Sequence, residues 1–233
     1  SYKGLLMADI VIAIDGFSGT GKSSTAKKVA SALGYKYIDS GAMYRCVALY
    51  FINNQIDFEE RKEVAGALDE ILISFQFNNL LNTSEILLNN QIMDYQIRLP
   101  EVDQIVSQIA AQPLIRRAMV DRQQKLGLEK KMVMDGRDIG TVVFPDAALK
   151  IFMTADLHVR SKRRQKELEE QGIQVNIEEI KKNLAKRDDL DANRLDSPLI
   201  KAKDAITLDS SYLTLGDQVK KIVNIANKII HEG

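Results

Sequence analysis

The sequence has little of what secreted, membrane-spanning or nucleic-acid-binding proteins need. One residue of 233 is cysteine, Cys46, which excludes an internal disulfide and is typical of a reducing compartment. Tryptophan is absent and aromatic residues make up 6%, which disfavours a surface that stacks on bases. Lys+Arg and Asp+Glu both number 32, and no apolar run approaches the ~18 residues of a membrane span. We therefore expect a cytoplasmic monomer whose partners are neither nucleic acid nor membrane.

The composition and the order of apolar segments predict an α/β fold. Apolar residues make up 45% of the chain and charged residues 27%, as in ordinary globular domains. Short β-branched runs alternate with segments of helical spacing, which favours a parallel sheet with helices on both faces. The predicted strands are Ile10–Ile14, Tyr35–Asp39, Lys131–Asp135, Ala148–Met153 and Ala205–Leu208, and the helices include Ser23–Leu33, Ala42–Ile52 and Val219–Ile230.

The middle of the chain departs from this alternation. Ile73–Phe77, Glu85–Asn90 and Tyr95–Arg98 are short strand-like runs, separated by asparagine-rich turns at 78–79 and 89–90. They predict a small antiparallel sheet inserted between helices.

A phosphate-binding loop follows the first predicted strand. The segment from Gly16 to Ser23 matches G-x-x-x-x-G-K-[ST] in full and precedes a predicted helix, as its chemistry requires. Glycines let backbone N–H groups surround an anion, and the helix N-terminus adds positive potential. We expect Lys22 to contact the β- and γ-phosphates of ATP, and Ser23 to bind Mg²⁺. The predicted donor-binding residues are Gly16, Phe17, Ser18, Gly19, Thr20, Gly21, Lys22, Ser23 and Ser24.

Two aspartates near this loop have open roles. Asp15 directly precedes it and Asp135 ends a predicted strand. Each can hold Mg²⁺ or its waters, or can instead accept hydrogen bonds from loop backbone.

Arginine clusters predict a second anion site, as a small-molecule kinase requires for its acceptor. The chain lacks the Asn-Lys-x-Asp motif of GTPases. Arg45 follows a turn, and Gly136–Thr141 follows a strand end, where ligands bind in open parallel sheets. Arg187, Asp191 and Arg194 have the spacing of one helical face. Guanidinium groups bind phosphate oxygens in pairs, which suits such a site.

Four segments resemble those of bacterial cytidylate kinases, a family of P-loop nucleoside monophosphate kinases. They are Ile14–Ser24, Asp39–Arg45, Asp135–Asp146 and Lys186–Arg194, and the resemblance covers Asp9–Ile230. It implies transfer of the ATP γ-phosphoryl to CMP or dCMP, with Mg²⁺ as cofactor.

The resemblance also implies an organisation of the chain. We expect a single kinase domain with a core at 8–65, 100–155 and 176–233. A nucleoside-monophosphate-binding subdomain would occupy 66–99 and a helical lid 156–175. Residues 1–6 are expected to be a remnant of cloning.

Acceptor contacts follow from the resemblance, residue by residue. Arg45, Arg137 and Arg194 would hold the acceptor phosphate, and Arg187 and Asp191 would contact the ribose hydroxyls. A carboxylate is a natural acceptor for two O–H donors.

Four further residues would surround the cytosine: Ser40, Ser107, Arg116 and Asp138. A carboxylate suits the N4 amino donor of cytosine, and a guanidinium suits its N3 and O2 acceptors. On the residues alone, Ser107 and Arg116 would be ordinary polar positions on predicted helices.

The lid segment carries three arginines, Arg160, Arg163 and Arg164. By the resemblance, one or more of them would neutralise charge on the transferred phosphoryl group. The expected catalytic residues are Lys22, Arg137, Arg160, Arg164 and Arg194.

Three alternative functions remain open on the residues alone. A kinase of another acceptor, such as shikimate or dephospho-coenzyme A, would share the phosphate loop but not the cytosine-matching residues. A regulator that uses ATP as a switch would need no second anion site. A nucleic-acid-binding protein is disfavoured by the balanced charge and the few aromatics.

Overall fold

The computed structural model describes residues 8–78, 80 and 83–232. The expected cloning remnant at 1–6 and the second asparagine of the turn at 78–79 lie outside these residues. The strands within them are β1 (Val11–Gly16), β2 (Lys36–Asp39), β3 (Ile73–Asn78), β4 (Thr83–Leu88), β5 (Gln91–Ile92), β6 (Met132–Gly136), β7 (Leu149–Thr154) and β8 (Ile206–Asp209). The α-helices are α1 (Lys22–Leu33), α2 (Ser40–Asn53), α3 (Arg61–Glu70), α4 (Pro100–Ala111), α5 (Pro113–Leu126), α6 (Leu157–Glu170), α7 (Ile177–Asn193) and α8 (Leu215–Glu232).

The predicted parallel sheet is confirmed. Five strands lie in the order β2-β6-β1-β7-β8, and each neighbouring pair is parallel. β1 lies at the centre and is buried along its whole length, which explains its continuous run of apolar residues. The register pairs Ile14 with Asp135 on one side and with Ile151 on the other.

Helices cover both faces of this sheet. Ile12 and Ile14 pack in one cluster with Val29 of α1 and Ile222 of α8. Ala13, between them, belongs to a second cluster that includes α2, α4 and α5. This alternation follows from the two-residue period of a strand.

The predicted inserted sheet is also present, but its third strand was placed wrongly. β3, β4 and β5 form an antiparallel sheet in that order. Tyr95–Arg98 is not a strand, because Gln96–Arg98 forms a single 3₁₀ turn that carries Ile97 into the core. Pro100 then begins α4 as its first residue, a position that tolerates the missing N–H. The pairing strand is the shorter β5.

The carboxyl ends of the five parallel strands meet along one edge. Asp39, Gly136 and Asp209 are the last residues of β2, β6 and β8. Gly16 ends β1 at the same edge. In open α/β sheets, ligands bind at this edge, next to the point where the strand order reverses.

Among the described residues, no helix combines the length and apolarity needed to cross a bilayer.

The single cysteine lies in the core, and its reactivity follows from that position. Cys46 is 0% exposed, and burial raises the pKa of its thiol to about 12. Because the thiolate is the reactive species, we expect the native protein to resist a disulfide-exchange reagent at pH 8. The same reagent should titrate one thiol after unfolding in urea. Rapid stoichiometric reaction of the native chain, followed by absorbance, would contradict this burial.

Candidate active site

The segment between β1 and α1 has the backbone of a phosphate-binding loop. Gly21 has a φ of +83° at the start of α1, a conformation that favours glycine. At Gly16, a Cβ would lie 2.3 Å from the backbone oxygen of Met153, so no larger residue fits there. The loop therefore depends on its glycines both for conformation and for close approach to β7.

Lys22 is the first residue of α1 and lies beneath the loop. It is 7% exposed, and burial lowers the pKa of its amine to about 7, with a further contribution from nearby Arg137. Asp135 and Asp39 oppose this effect. An anion bound in the loop would favour the charged form of the amine.

Ser23, Asp135 and Tyr37 form a polar corner beside the loop. The Ser23 hydroxyl donates to Oδ2 of Asp135 at 2.8 Å, and the Tyr37 hydroxyl donates to Oδ1 at 2.8 Å. Burial raises the pKa of Asp135 to about 6, and nearby Asp39 adds to the effect. Hydroxyl and carboxylate oxygens are the donor atoms that Mg²⁺ prefers, so this corner fits the predicted metal.

The Asp15 carboxylate binds backbone N–H groups and, unlike that of Asp135, does not contact Ser23. Its two carboxylate oxygens accept from the N–H groups of Ile139 and Gly140, at 2.9 and 2.8 Å. These bonds hold a single π-helical turn, Ile139–Val143, against β1. Of the two roles left open by the sequence, the geometry favours backbone support for Asp15 and the metal corner for Asp135.

A second cleft opens at the same edge of the sheet. All the acceptor residues predicted from the sequence line it, although Ser107 and Arg116 come from separate helices, α4 and α5. Its free volume is about 80 Å³, small for a nucleotide, so its side chains must rearrange to admit one. The lining residues are Ser40, Gly41, Tyr44, Arg45, Val106, Ser107, Ala110, Arg116, Gly136, Arg137, Asp138, Arg187, Asp191 and Arg194.

The arginines expected to bind the acceptor phosphate are paired with carboxylates. Arg137 Nε lies 2.8 Å from Oδ2 of Asp191, and Arg194 Nη1 lies 3.5 Å from its Oδ1. Arg45 Nη2 lies 2.6 Å from Oδ1 of Asp103. Burial alone would raise the pKa of Asp191, but Arg137 and its neighbours hold it below the usual value. A phosphate would take the place of these carboxylates.

Arg194 departs from its expected helical position. α7 ends at Asn193, and Arg194 has extended backbone angles as its C-terminal cap. The side chain still reaches the cleft, where its Nε donates to the carbonyl oxygen of Ser197 at 2.7 Å. Arg187 lies on α7, seven residues before Arg194. Burial and nearby Arg137 lower the pKa of its guanidinium to about 10.

The inner end of the cleft holds a buried ion pair. Arg116 Nη2 lies 2.8 Å from Oδ2 of Asp138, and both side chains are 2% exposed. The Arg116 guanidinium also lies over the ring of Tyr44, 4.8 Å from its centroid. The Ser40 hydroxyl donates to the backbone oxygen of Asp135 at 2.6 Å, which places it at the end of β6, the strand that precedes Asp138. The pair offers one charge of each sign to a ligand's hydrogen-bonding edge.

The three lid arginines on α6 have different partners. Arg160 Nη1 contacts Ser18 O at 3.2 Å and Asp188 Oδ2 at 2.8 Å. Arg163 contacts the backbone oxygens of Ser210 and Thr20, at 2.5 and 3.4 Å.

Arg164 points toward the acceptor side. It pairs with Glu167 at 3.1 Å and with Asp103 at 3.4 Å. Arg160 and Arg163 both contact backbone oxygens of the phosphate loop, whereas Arg160 and Arg164 pair with carboxylates.

Sequence reasoning missed several residues of the site, namely Tyr37, Tyr44, Asp103, Asp188 and Ser210. Asp103 lies four residues before Ser107 on α4, so helical spacing alone could have placed the two on one face. Tyr44 and Asp188 are adjacent in sequence to Arg45 and Arg187, whereas Tyr37 and Ser210 reach the site only through contacts with distant segments.

A phosphate loop and an arginine-lined anion cleft, side by side at the carboxyl edge of a parallel sheet, define a P-loop kinase with a phosphorylated acceptor. The profile of the cytidylate kinase family matches residues 12–228, and the chain belongs to this family.

Similar proteins agree in sequence over nearly the whole chain. The cytidylate kinase of Cytophaga hutchinsonii is 51% identical over 220 residues, which cover 94% of each chain. That of Flavobacterium johnsoniae is 45% identical over 227 residues, covering 96% of this chain and 99% of the relative. A solved structure of an uncharacterised protein from Eubacterium ventriosum shares the fold, with a TM-score of 0.51 and 15% identity over 95% of this chain and 99% of that one.

The burial of Asp15 predicts a pH dependence of stability. Burial raises the pKa of Asp15 to about 6 from 3.8, although its two backbone hydrogen bonds oppose this. An acid that binds its proton more tightly when folded stabilises the fold at low pH, and this contribution is lost as pH rises from 4 to 6. Asp15→Asn should remove roughly 3 kcal/mol of that dependence.

Chemical denaturation at several pH values measures this effect, and exposed Asp121 provides the control as Asp121→Asn. Asp135, with a similarly raised pKa, accounts for dependence that remains in the variant. An equal pH dependence in the wild type and Asp15→Asn would show that the pKa of Asp15 is the same in the folded and unfolded chains.

Proposed function

We propose that the chain transfers the γ-phosphoryl group of ATP to CMP or dCMP, giving ADP and CDP or dCDP. The observation that carries the proposal is the buried Arg116–Asp138 pair in an arginine-lined cleft beside the phosphate loop. Membership of the cytidylate kinase family and the names of the relatives support it.

The loop residues and Lys22 bind the triphosphate of ATP. Backbone N–H groups of Gly19–Ser24 surround its oxygens, and the N-terminus of α1 adds favourable potential. Ser23 and Asp135 would hold Mg²⁺ or its waters, and the metal would supply positive charge to the phosphates. Lys22, which loses its proton easily in the free protein, becomes fully charged beside the phosphates.

The acceptor phosphate binds among Arg45, Arg137 and Arg194. Each of these guanidinium groups is ion-paired with a carboxylate in the structure, so each is already placed to bind oxygen. Arg187 and Asp191 then contact the ribose hydroxyls. Because the acceptor oxygen is already anionic, the transfer needs no general base and no covalent intermediate. Catalysis is positioning and charge stabilisation.

The Arg116–Asp138 pair reads the base, together with Ser40 and Ser107. Asp138 accepts from the N4 amino group of cytosine, and Arg116 donates to N3 or O2. Uracil presents a carbonyl oxygen in place of the amine, which leaves two acceptors facing each other in a buried site. CMP is therefore preferred to UMP.

Two segments complete the site. The inserted sheet and its flanking residues, 66–99, form the acceptor-side subdomain, and 156–175 form the lid. Within the lid, Arg160 exchanges Asp188, and Arg164 exchanges Glu167, for the transferred phosphoryl group. Arg163 stays on the loop backbone. Closure excludes water, which otherwise competes as acceptor.

A coupled assay of ADP release tests this function, with ATP and each of CMP, dCMP, UMP and AMP. We expect kcat/KM to be highest for CMP or dCMP. Turnover of another monophosphate in preference to both would overturn the proposed substrate.

Replacing Lys22 tests the donor site. Lys22→Met should lower kcat/KM by roughly 10²–10³, because one preorganised charge on the transferred group is lost. Calorimetry should show CMP binding unchanged, since the acceptor cleft does not include Lys22. Exposed Lys28 on the same helix serves as the control, as Lys28→Met. Normal turnover by Lys22→Met would remove the donor-site assignment.

Replacing Asp138 tests base recognition, and asparagine is the informative change. Alanine would leave the buried Arg116 unpaired at a cost of roughly 3–5 kcal/mol, whereas asparagine keeps an oxygen for it. The amide can also donate to the O4 oxygen of uracil. Asp138→Asn should therefore lower the ratio of kcat/KM for CMP over UMP by at least roughly tenfold.

The exposed Asp146, changed to asparagine, is the control for loss of an acidic group in the same segment. A ratio that stays constant in Asp138→Asn would place base recognition elsewhere.

A further inference from the structure

Asp103 is a charged residue of the acceptor side to which the proposed mechanism gives no part. It lies on α4, which carries Ser107 one turn later. Asp103 is not among the residues that line the acceptor cleft, but its carboxylate reaches an arginine that does.

Its carboxylate joins two arginines that belong to different parts of the site. Oδ1 lies 2.6 Å from Nη2 of Arg45, in the acceptor cleft, and Oδ2 lies 3.4 Å from Nη2 of Arg164, on the lid helix. Nη1 of Arg45 donates to the carbonyl oxygen of Ile97 at 3.1 Å. Both terminal nitrogens of Arg45 are therefore engaged before any phosphate arrives.

The charges make this arrangement incompatible with a bound acceptor phosphate. A dianion that pairs with Arg45 would approach the Asp103 carboxylate closely, and like charges at such distances repel. Arg45 and Asp103 are 19% and 28% exposed, so solvent screens this repulsion only in part. Asp103 must therefore leave Arg45 when the phosphate binds.

Once Arg45 binds the phosphate, Arg164 is the ion-pair partner left to the Asp103 carboxylate. At 35% exposure and 3.4 Å, the contact between Arg164 and Asp103 is looser than the contact with Arg45, and it can shorten when Arg45 is withdrawn. Glu167 is the only other carboxylate within ion-pair distance of Arg164 among the described residues.

We propose that Asp103 is an internal competitor for the acceptor phosphate, which occupies Arg45 in the free protein and moves to Arg164 of the lid when the acceptor binds. The inference rests on the proposed function, because it takes Arg45 as a ligand of the acceptor phosphate. Binding of the acceptor phosphate to Arg45 thereby changes the charges around Arg164 of the lid, although that phosphate does not itself contact Arg164.

The first test measures equilibrium binding without turnover. Asp103→Asn keeps the size of the side chain and removes its charge, so CMP should bind roughly 3- to 10-fold more tightly than to the wild type, in line with the loss of one partly screened like charge. Cytidine, which lacks the phosphate, should bind equally to both proteins. Exposed Glu101 lies two residues earlier on α4, and Glu101→Gln should leave CMP affinity unchanged.

The outcomes of this titration separate the possible roles. Weaker CMP binding by Asp103→Asn would show that Asp103 orients Arg45 for the phosphate, and unchanged binding would show that it plays no part. An equal gain for CMP and cytidine would show a general change in the cleft. Each of these results overturns the inference, and Asp103→Ala should reproduce the direction if the competition is real.

A second measurement tests the transfer to Arg164. The affinity for a non-hydrolysable ATP analogue is measured with and without saturating CMP, and the ratio gives the coupling between the two sites. Because the lid covers the donor, Asp103→Asn should reduce this ratio at least about twofold, as should Arg164→Met. A ratio that is the same in wild type and Asp103→Asn would overturn the transfer.

Failure of the proposed function would look different. It would appear as absence of CMP-dependent ADP release by the wild type, whereas failure of this inference appears in binding by the variants while the wild type still turns over CMP.

Discussion

The repulsion among clustered arginines is the constraint on which this site depends. Arg45, Arg137, Arg187 and Arg194 line one cleft. Arg187 shows the effect of this repulsion, because burial and its positive neighbours lower the pKa of its guanidinium. Such a cluster folds only if carboxylates from the same edge neutralise it while leaving it able to exchange partners. The cleft lining holds five arginines and two aspartates, so it carries an excess of positive charge although the chain as a whole is balanced.

This constraint explains why each of two aspartates at the cleft pairs with two arginines. Asp191 is shared by Arg137 and Arg194, and Asp103 by Arg45 and a lid arginine. Ion pairs of this kind add little stability, because desolvation offsets their attraction. Their effect here is geometric, since they hold the guanidinium groups in the positions that the proposed phosphate contacts need.

Sequence could predict those parts of the site that lie within one continuous segment. The phosphate loop and the arginines after β2 and β6 belong to short motifs with a fixed position on a parallel sheet. Helical spacing could place Asp103 on one face with Ser107, but not pair it with Arg45 or Arg164. Ser210 could not be found this way, because its partner Arg163 lies far away along the chain. The strand predicted at Tyr95–Arg98 was wrong for a local reason. Its short alternating apolar pattern fits a strand and a 3₁₀ turn equally well.

The contacts of Arg163 anchor α6 to neighbouring segments of the chain. Because its guanidinium is bound to backbone oxygens of the phosphate loop and of the segment after β8, the first two turns of α6 are fixed to the floor of the donor site. At the far end of that helix, Gly172 has a φ of +78°, and an added Cβ there would meet no atom within 4 Å. The hairpin between α6 and α7 is therefore attached to the phosphate loop at its base, whereas its tip at Gly172 is exposed.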